Sequence, residues 1–250
     1  MLRCHLASHR RPCRHLALAA ALSALGCTAA QAADFNAIGL LTQAEFRAFS
    51  EDVAAALSYK GMIPAEALGL TGFDLSVAAY ATEVANRDVL RKAAGGASIP
   101  KAVPSVAVRA VKGLPFGLDV GVVLKTLPGT NVRATGGELR WAFVEGGTLM
   151  PAVALRVAGM KLSGVDQLKM TSTSVDLSVS KGFAFLTPYA GIGYVDSRSS
   201  APGTSLRREN VGQTKVFAGL NIAFTPLAMV LETEKTGDAT GYGLKLAIRF

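Results

Sequence analysis

The sequence predicts an all-β fold, a transmembrane antiparallel up-and-down β-barrel of about ten strands (roughly 8–12), preceded by one amphipathic helix. Three observations carry this. From Gly72 onward apolar side chains recur at every second position, the last segment alternates Tyr242, Leu244, Leu246 and Ile248 before stopping at Phe250, and a basic then apolar leader stands at the other end. The chain is 50% hydrophobic, yet beyond the leader it has no uninterrupted run of about 18 apolar residues. Apolar content dispersed by alternation suits a barrel wall, in which each strand shows lipid only every second side chain.

Residues 1–33 read as a cleaved signal peptide: Arg3, Arg10, Arg11 and Arg14, then an apolar core from Leu16 to Leu25, then Ala30-Gln31-Ala32 as a small-residue cleavage site. Cys27 after Ala24-Leu25-Gly26 loosely resembles a lipoprotein box and Arg10-Arg11 a twin-arginine signal. The first lacks the usual leucine three residues before the cysteine; the second would export a folded protein, which a membrane barrel is not. Every cysteine (Cys4, Cys13, Cys27) and every histidine (His5, His9, His15) falls in this leader. The mature chain is therefore expected to have no disulfide, thiol nucleophile, histidine base, metal site or cofactor, and to be no enzyme. Loss of the leader lowers the formal charge from +8 to +4, with 22 basic against 18 acidic residues, which removes the basis for a nucleic-acid partner.

Residues 34–69 are expected to form a periplasmic N-terminal segment. Thr42 with Glu45 makes a capping box, Phe46, Phe49, Val53 and Leu57 recur at helical spacing, and Lys60-Gly61 supplies a basic last turn and a glycine stop. These predict an amphipathic helix over about Gln43 to Tyr59, packed on the barrel's periplasmic rim or inserted as a plug.

Residues 70–250 form the expected barrel. Its outward sets are Phe73, Leu75, Val77, Ala79; Val106, Val108, Ala110; Phe116, Leu118, Val120, Val122, Leu124; Leu139, Trp141, Phe143; Val153, Leu155, Val157; Val175, Leu177, Val179; Leu186, Ala190, Ile192, Tyr194; Val216, Ala218, Leu220, Ile222, Phe224; Leu227, Met229, Leu231; and Tyr242 to Phe250. Short spacers such as Lys112 to Pro115, Lys181-Gly182 and Thr225-Pro226 alternate with longer ones such as Thr82 to Lys101, Lys161 to Met170 and Asp196 to Asn210. Short periplasmic turns and longer external loops are the outer-membrane arrangement.

The opposite face supplies the lumen-lining candidates Asp74, Arg109, Asp119, Lys125, Glu138, Arg140, Arg156, Asp176, Glu232, Glu234, Lys245 and Arg249. They either pair and fill a narrow bore or line a path through it, and inward glycines and alanines leave that choice open. Glu232 and Glu234, two residues apart on a strand, read as a polar face and not as an acid–base pair. Phe116, Trp141, Phe143, Tyr189, Tyr194, Phe224, Tyr242 and Phe250 are expected as an interfacial girdle. Two loop clusters, Arg87, Arg91 and Lys92, and Arg198, Arg207 and Arg208, read as solvated charge, or as contacts for lipopolysaccharide phosphates.

The stretches LSYKGMIPAEALGLTGFDL, KGLPFGLDVG, LSGVDQL, NVGQTKVFAGLNIAF and EKTGDATGYGLKLAIRF resemble a family of small, uncharacterised proteobacterial outer-membrane barrel proteins. The resemblance implies an outer-membrane barrel with a short N-terminal helical segment, and a terminal signal (Tyr242, Leu244, Leu246, Ile248, Phe250) read by the barrel-insertion machinery. A remote similarity to the long-chain fatty-acid transporter type rests on the helix followed by a barrel. The sequence thus predicts a Gram-negative outer-membrane protein with passive, channel-like transport of a small solute or amphiphile; the alternative is a closed structural or surface-interaction barrel working through its outer loops.

Overall fold

The computed structural model describes residues 35–147 and 149–250, so the expected signal peptide lies outside the described residues. Ten antiparallel strands close into a barrel: β1 (Phe73–Glu83), β2 (Ala102–Gly113), β3 (Leu118–Thr126), β4 (Arg133–Val144), β5 (Ala152–Ser163), β6 (Lys169–Ser180), β7 (Leu186–Ser200), β8 (Glu209–Phe224), β9 (Leu227–Thr236) and β10 (Ala239–Arg249). Each strand pairs with its chain neighbours, and β10 closes on β1 with Asp74 opposite Arg249 and Glu83 opposite Thr240. Closure removes every free sheet edge, the condition for a β-sheet to cross lipid.

The alternation resolves as the sequence predicts. Leu75, Val77, Val108, Val122, Leu155, Leu177, Ile192, Leu231 and Leu246 are exposed on the outside, while Asp74, Arg109, Asp119, Arg140, Asp176 and Lys245 are buried inside. Around the rim of short turns the exterior carries stacked or tilted aromatic pairs: Phe73 with Phe250, Trp141 with Phe143 and Phe185 with Phe224. These amphipathic rings mark one membrane–water boundary. The opposite rim carries residues 84–101 and 201–208 and faces outward from the cell.

Several expectations change. Phe116 is no part of β3; it sits in the β2–β3 turn with φ 63° and 89% exposure. Tyr189 is not in the girdle but faces inward, where its hydroxyl donates to Glu232 at 2.6 Å. β7 and β8 absorb the two ends of the expected loop from Asp196 to Asn210 and leave residues 201–208 between them. The long loop after β1 contains a short helix, α2 (Arg87–Ala93), which the period-two reading passed over.

The main helix, α1 (Gln43–Leu57), has the expected cap: Glu45 N–H donates to Thr42 Oγ1 at 3.3 Å and Thr42 N–H to Glu45 Oε2 at 2.7 Å. It stops at Ser58, whose backbone turns to φ −49°, ψ 150°, and not at Lys60-Gly61. Of the two placements expected for the segment, the periplasmic rim is wrong and the plug holds. The segment lies within the barrel: residues near Gln43 meet the long-loop rim at Arg207 and Glu209, and those near Leu70 meet Lys112 at the short-turn rim. An apolar helix surface facing water on the rim would cost more than one packed inside the upper barrel.

The lipid-facing band gives a direct test. Leu177→Arg should destabilise the barrel in phospholipid vesicles by about 2–4 kcal/mol in urea unfolding, whereas Leu177→Val should change it little.

Candidate functional site: the filled lumen and its outer rim

The outer half of the lumen is apolar. Phe46, Phe49, Val53 and Leu57 of α1 are buried against Val123, Val132, Met160, Leu162, Leu168 and Met170 of the wall and loops. Helical spacing places these α1 residues on the barrel-facing side. Two polar contacts locate the helix: Ser50 Oγ lies 2.6 Å from Ser199 Oγ, and Asp52 accepts from the backbone N–H of Ala85 and Asn86 at 3.0 and 2.7 Å. At the rim Gln43 binds Glu209, Arg47 pairs with Glu209 at 3.5 Å, and Lys92 of α2 reaches Glu45 at 2.8 Å.

Below Ser58 the segment runs extended through the charged half of the lumen, and wall cations bind its backbone at successive levels. Lys125 Nζ donates to the carbonyls of Ala56 and Ser58 (3.0 and 3.3 Å), Lys215 Nζ to Tyr59 (3.2 Å), Arg109 to Gly61, and Arg140 to Pro64 and, at 3.1 Å, to Glu66. Wall acids take its donors. Met62 N–H reaches Glu232 at 3.2 Å, Leu68 N–H reaches Asp119 at 3.0 Å, and Lys60 pairs with Glu234. The Tyr59 ring lies beneath the guanidiniums of Arg109 (5.3 Å) and Arg156 (5.9 Å), a favourable cation–π arrangement.

The wall charges also pair with one another: Arg140 with Asp119 (2.5 Å), Arg109 with Glu138 (3.3 Å), Arg156 with Asp176 (2.9 Å), Lys215 with Asp176 (2.6 Å), and Asp74 with both Lys245 (3.1 Å) and Arg249 (2.7 Å). Every sequence-predicted lumen candidate therefore faces inward and is partnered. All are buried but Arg249, which is half-buried. The small inward residues do not leave a bore. A Cβ on Gly243 would come within 2.8 Å of Met62 Cε, and one on Gly61 would overlap the Arg156 guanidinium at 1.5 Å, so the segment passes because Gly61 has no side chain.

Sequence reasoning missed Lys60, Tyr59 and Lys215. Lys215 shares the inward parity of Phe217 and Gly219 and would have been found had β8 been begun before Val216. Lys60 was assigned to a helix terminus, where a basic residue is equally at home. The terminal set Tyr242, Leu244, Leu246, Ile248 and Phe250 is exposed along the outside of the closing strand.

No protein-family model and no curated protein matches the chain. Solved structures similar to it include the KdgM porin (7% identity, TM-score 0.37, 71% of this chain and 99% of that one). They also include Ail, the attachment invasion locus protein of Yersinia pestis (14%, 0.31, 74% and 99%), and Omp33 of Acinetobacter baumannii (8%, 0.34, 73% and 100%). On its own geometry, a closed ten-strand wall with a lipid-facing apolar band and an enclosed polar interior, this chain is a Gram-negative outer-membrane β-barrel protein.

Removing one partner of a buried ion pair leaves the other unanswered. Arg140→Ala, which strands Asp119 and frees the carbonyls of Pro64 and Glu66, should cost about 3–5 kcal/mol in urea unfolding, while Arg198→Ala on the exposed rim should cost under about 1 kcal/mol. The Lys92 ammonium and the Thr42 cap hold Glu45 down from its ordinary 4.5 to about 2. A depressed carboxyl stabilises fully above its unfolded value, so the α1–α2 contact should keep its protection above pH 4.5 and lose it as the pH falls through about 2. Hydrogen exchange of the α2 amides at pH 6 and pH 3 measures this, and Lys92→Gln, which leaves only the Thr42 cap on Glu45, should shrink the difference.

Proposed function

We propose that the protein is a closed outer-membrane barrel with a non-catalytic role, working through its outward-facing rim and not as a standing pore. The observation that carries this reading is the ladder of wall cations, Lys125, Lys215, Arg109 and Arg140, bonded to the backbone of residues 56–66 at every level of the charged lumen. A segment held by side chains alone would leave space on mutation; one held through its carbonyls blocks the bore whatever its side chains are. Fatty-acid transport would call for an apolar conduit, and the lumen from Asp74 to Glu234 is lined with paired charge.

A channel-like role for a small solute or amphiphile is the second reading. It is favoured by a cavity of about 280 Å³ at the short-turn rim, bordered by Ile63, Leu68, Asn221 and Arg249, and by the purely non-covalent hold on the segment. Planar-bilayer recording separates the two. The intact mature chain should show no steady conductance, and sustained ohmic current from it would overturn the closed reading. Current that appears only when residues up to Gly69 are deleted would identify the segment as the closure.

A further inference from the structure

The rim carries two groups of basic residues, and the structure treats them differently. Around α2 most of the charge is answered: Lys92 meets Glu45, Arg91 meets Asp88 at 3.1 Å, and nearby Lys101 meets Glu83 at 3.4 Å, while Arg87 is exposed and in no ion pair among the described residues. On the exterior of β4 to β7 it is not. Arg133, Lys161, Lys169 and Arg198 all point out of the barrel, and Arg208 stands in the loop above. Among the described residues no carboxylate lies within ion-pair reach of Arg133, Lys161, Lys169 or Arg208, and Arg198 has only a 3.8 Å contact with Asp196 between two exposed side chains.

Pairing register arranges these cations in two tiers. Thr135, Lys161, Thr171 and Arg198 lie opposite one another across β4, β5, β6 and β7; one tier further out, Arg133 faces Ser163 and Lys169 faces Ser200. With strands about 4.8 Å apart, the two cations within each tier stand roughly 10 Å from each other. Lys161, Lys169, Arg198 and Arg208 border a recess of about 500 Å³.

The wall below completes the pattern. Beneath the cations comes a tier of mostly small residues, Gly137, Gly159 and Thr173, with Asp196 at its edge, and beneath that Leu139, Val157, Val175 and Tyr194 begin the hydrocarbon band. Read upward, the surface offers a greasy contact, a shallow step and a cluster of unanswered positive charge. A lipid whose chains lead up to a sugar bearing phosphates has the same order.

We propose that this face binds the phosphorylated diglucosamine headgroup of lipopolysaccharide in the outer leaflet, its phosphates among Lys161, Lys169, Arg198 and Arg208 and its sugar over Gly137 and Gly159. The position of the cations on the lipid-facing wall, directly above hydrocarbon, selects a lipid over a soluble anion. The proposal rests on the outward orientation of the long-loop rim and is independent of whether the lumen conducts.

The test uses the intact mature protein in neutral detergent, with purified bisphosphorylated lipid A as probe and retention read by native mass spectrometry. Lys161→Gln/Lys169→Gln should weaken retention at least about tenfold, Lys101→Gln should leave it unchanged, and dephosphorylated lipid A should bind the unaltered protein as weakly as lipid A binds the double variant. Heat-modifiable migration checks folding, and steep loss of wild-type retention with added salt gives a second readout that needs no variant. Equal retention of the dephosphorylated lipid, equal loss in Lys101→Gln, salt-insensitive retention, or full displacement by millimolar inorganic phosphate would each overturn the proposal.

Discussion

Charge enclosed by a sheet that stands in lipid has to be answered inside the sheet, and the interior of this barrel is organised by that constraint. Asp74, Asp119, Glu138 and Asp176 each lie beside a wall cation. Lys125 has carbonyls and the face of Tyr80, 4.8 Å away, and among the described residues no acid bonded to it. The wall alone leaves donors and acceptors over, and the backbone of the lumen segment takes up several of them, the Lys125 and Lys215 ammoniums and the Arg109 and Arg140 guanidiniums among the donors. Arg109, with Tyr59 Oη and the Gly61 carbonyl on one side and Glu138 on the other, joins wall and segment into one network.

The lumen divides its labour by height. Its outer half is closed by hydrophobic packing of α1, which stabilises without demanding a particular partner. Its inner half is closed by ion pairs and carbonyl bonds, which contribute little net stability against an apolar equivalent but fix register and path. Phe49 could exchange for another large apolar residue with modest loss; Gly61 beside Arg156 could not take a side chain without displacing the guanidinium. The small residues that line the wall, Gly243 against Met62 among them, are the complement of that path.

Which residues face inward was legible because strand parity is unforgiving: a slip of one position would turn Leu177 into the lumen and Asp176 into lipid. The apolar sets and the even strand number followed from it. What faces those residues was not legible, since alternation reports a side and says nothing of a partner. Lys60-Gly61 satisfied the local rule for a helix end, and only the approach of Glu234 and Arg156 reveals another use. Tyr189 was misplaced because an aromatic near a strand end fits a girdle as well as a lumen. Of the lipid-facing cations only Arg198 was legible, as part of a loop cluster with Arg207 and Arg208; Arg133, Lys161 and Lys169 lie far apart in sequence and become its neighbours only through the register of β4 to β7.

The turn at Gly69 to Gly72 connects the lumen segment directly to β1, so a strand of the wall and its own filling run side by side in opposite directions. The β1–β10 seam joins the first strand of the chain to the last, so the ring that closes there encloses the segment immediately preceding β1. Each finished barrel thus keeps inside it the stretch of chain that leads into its own first stave, vessel and stopper being one continuous thread.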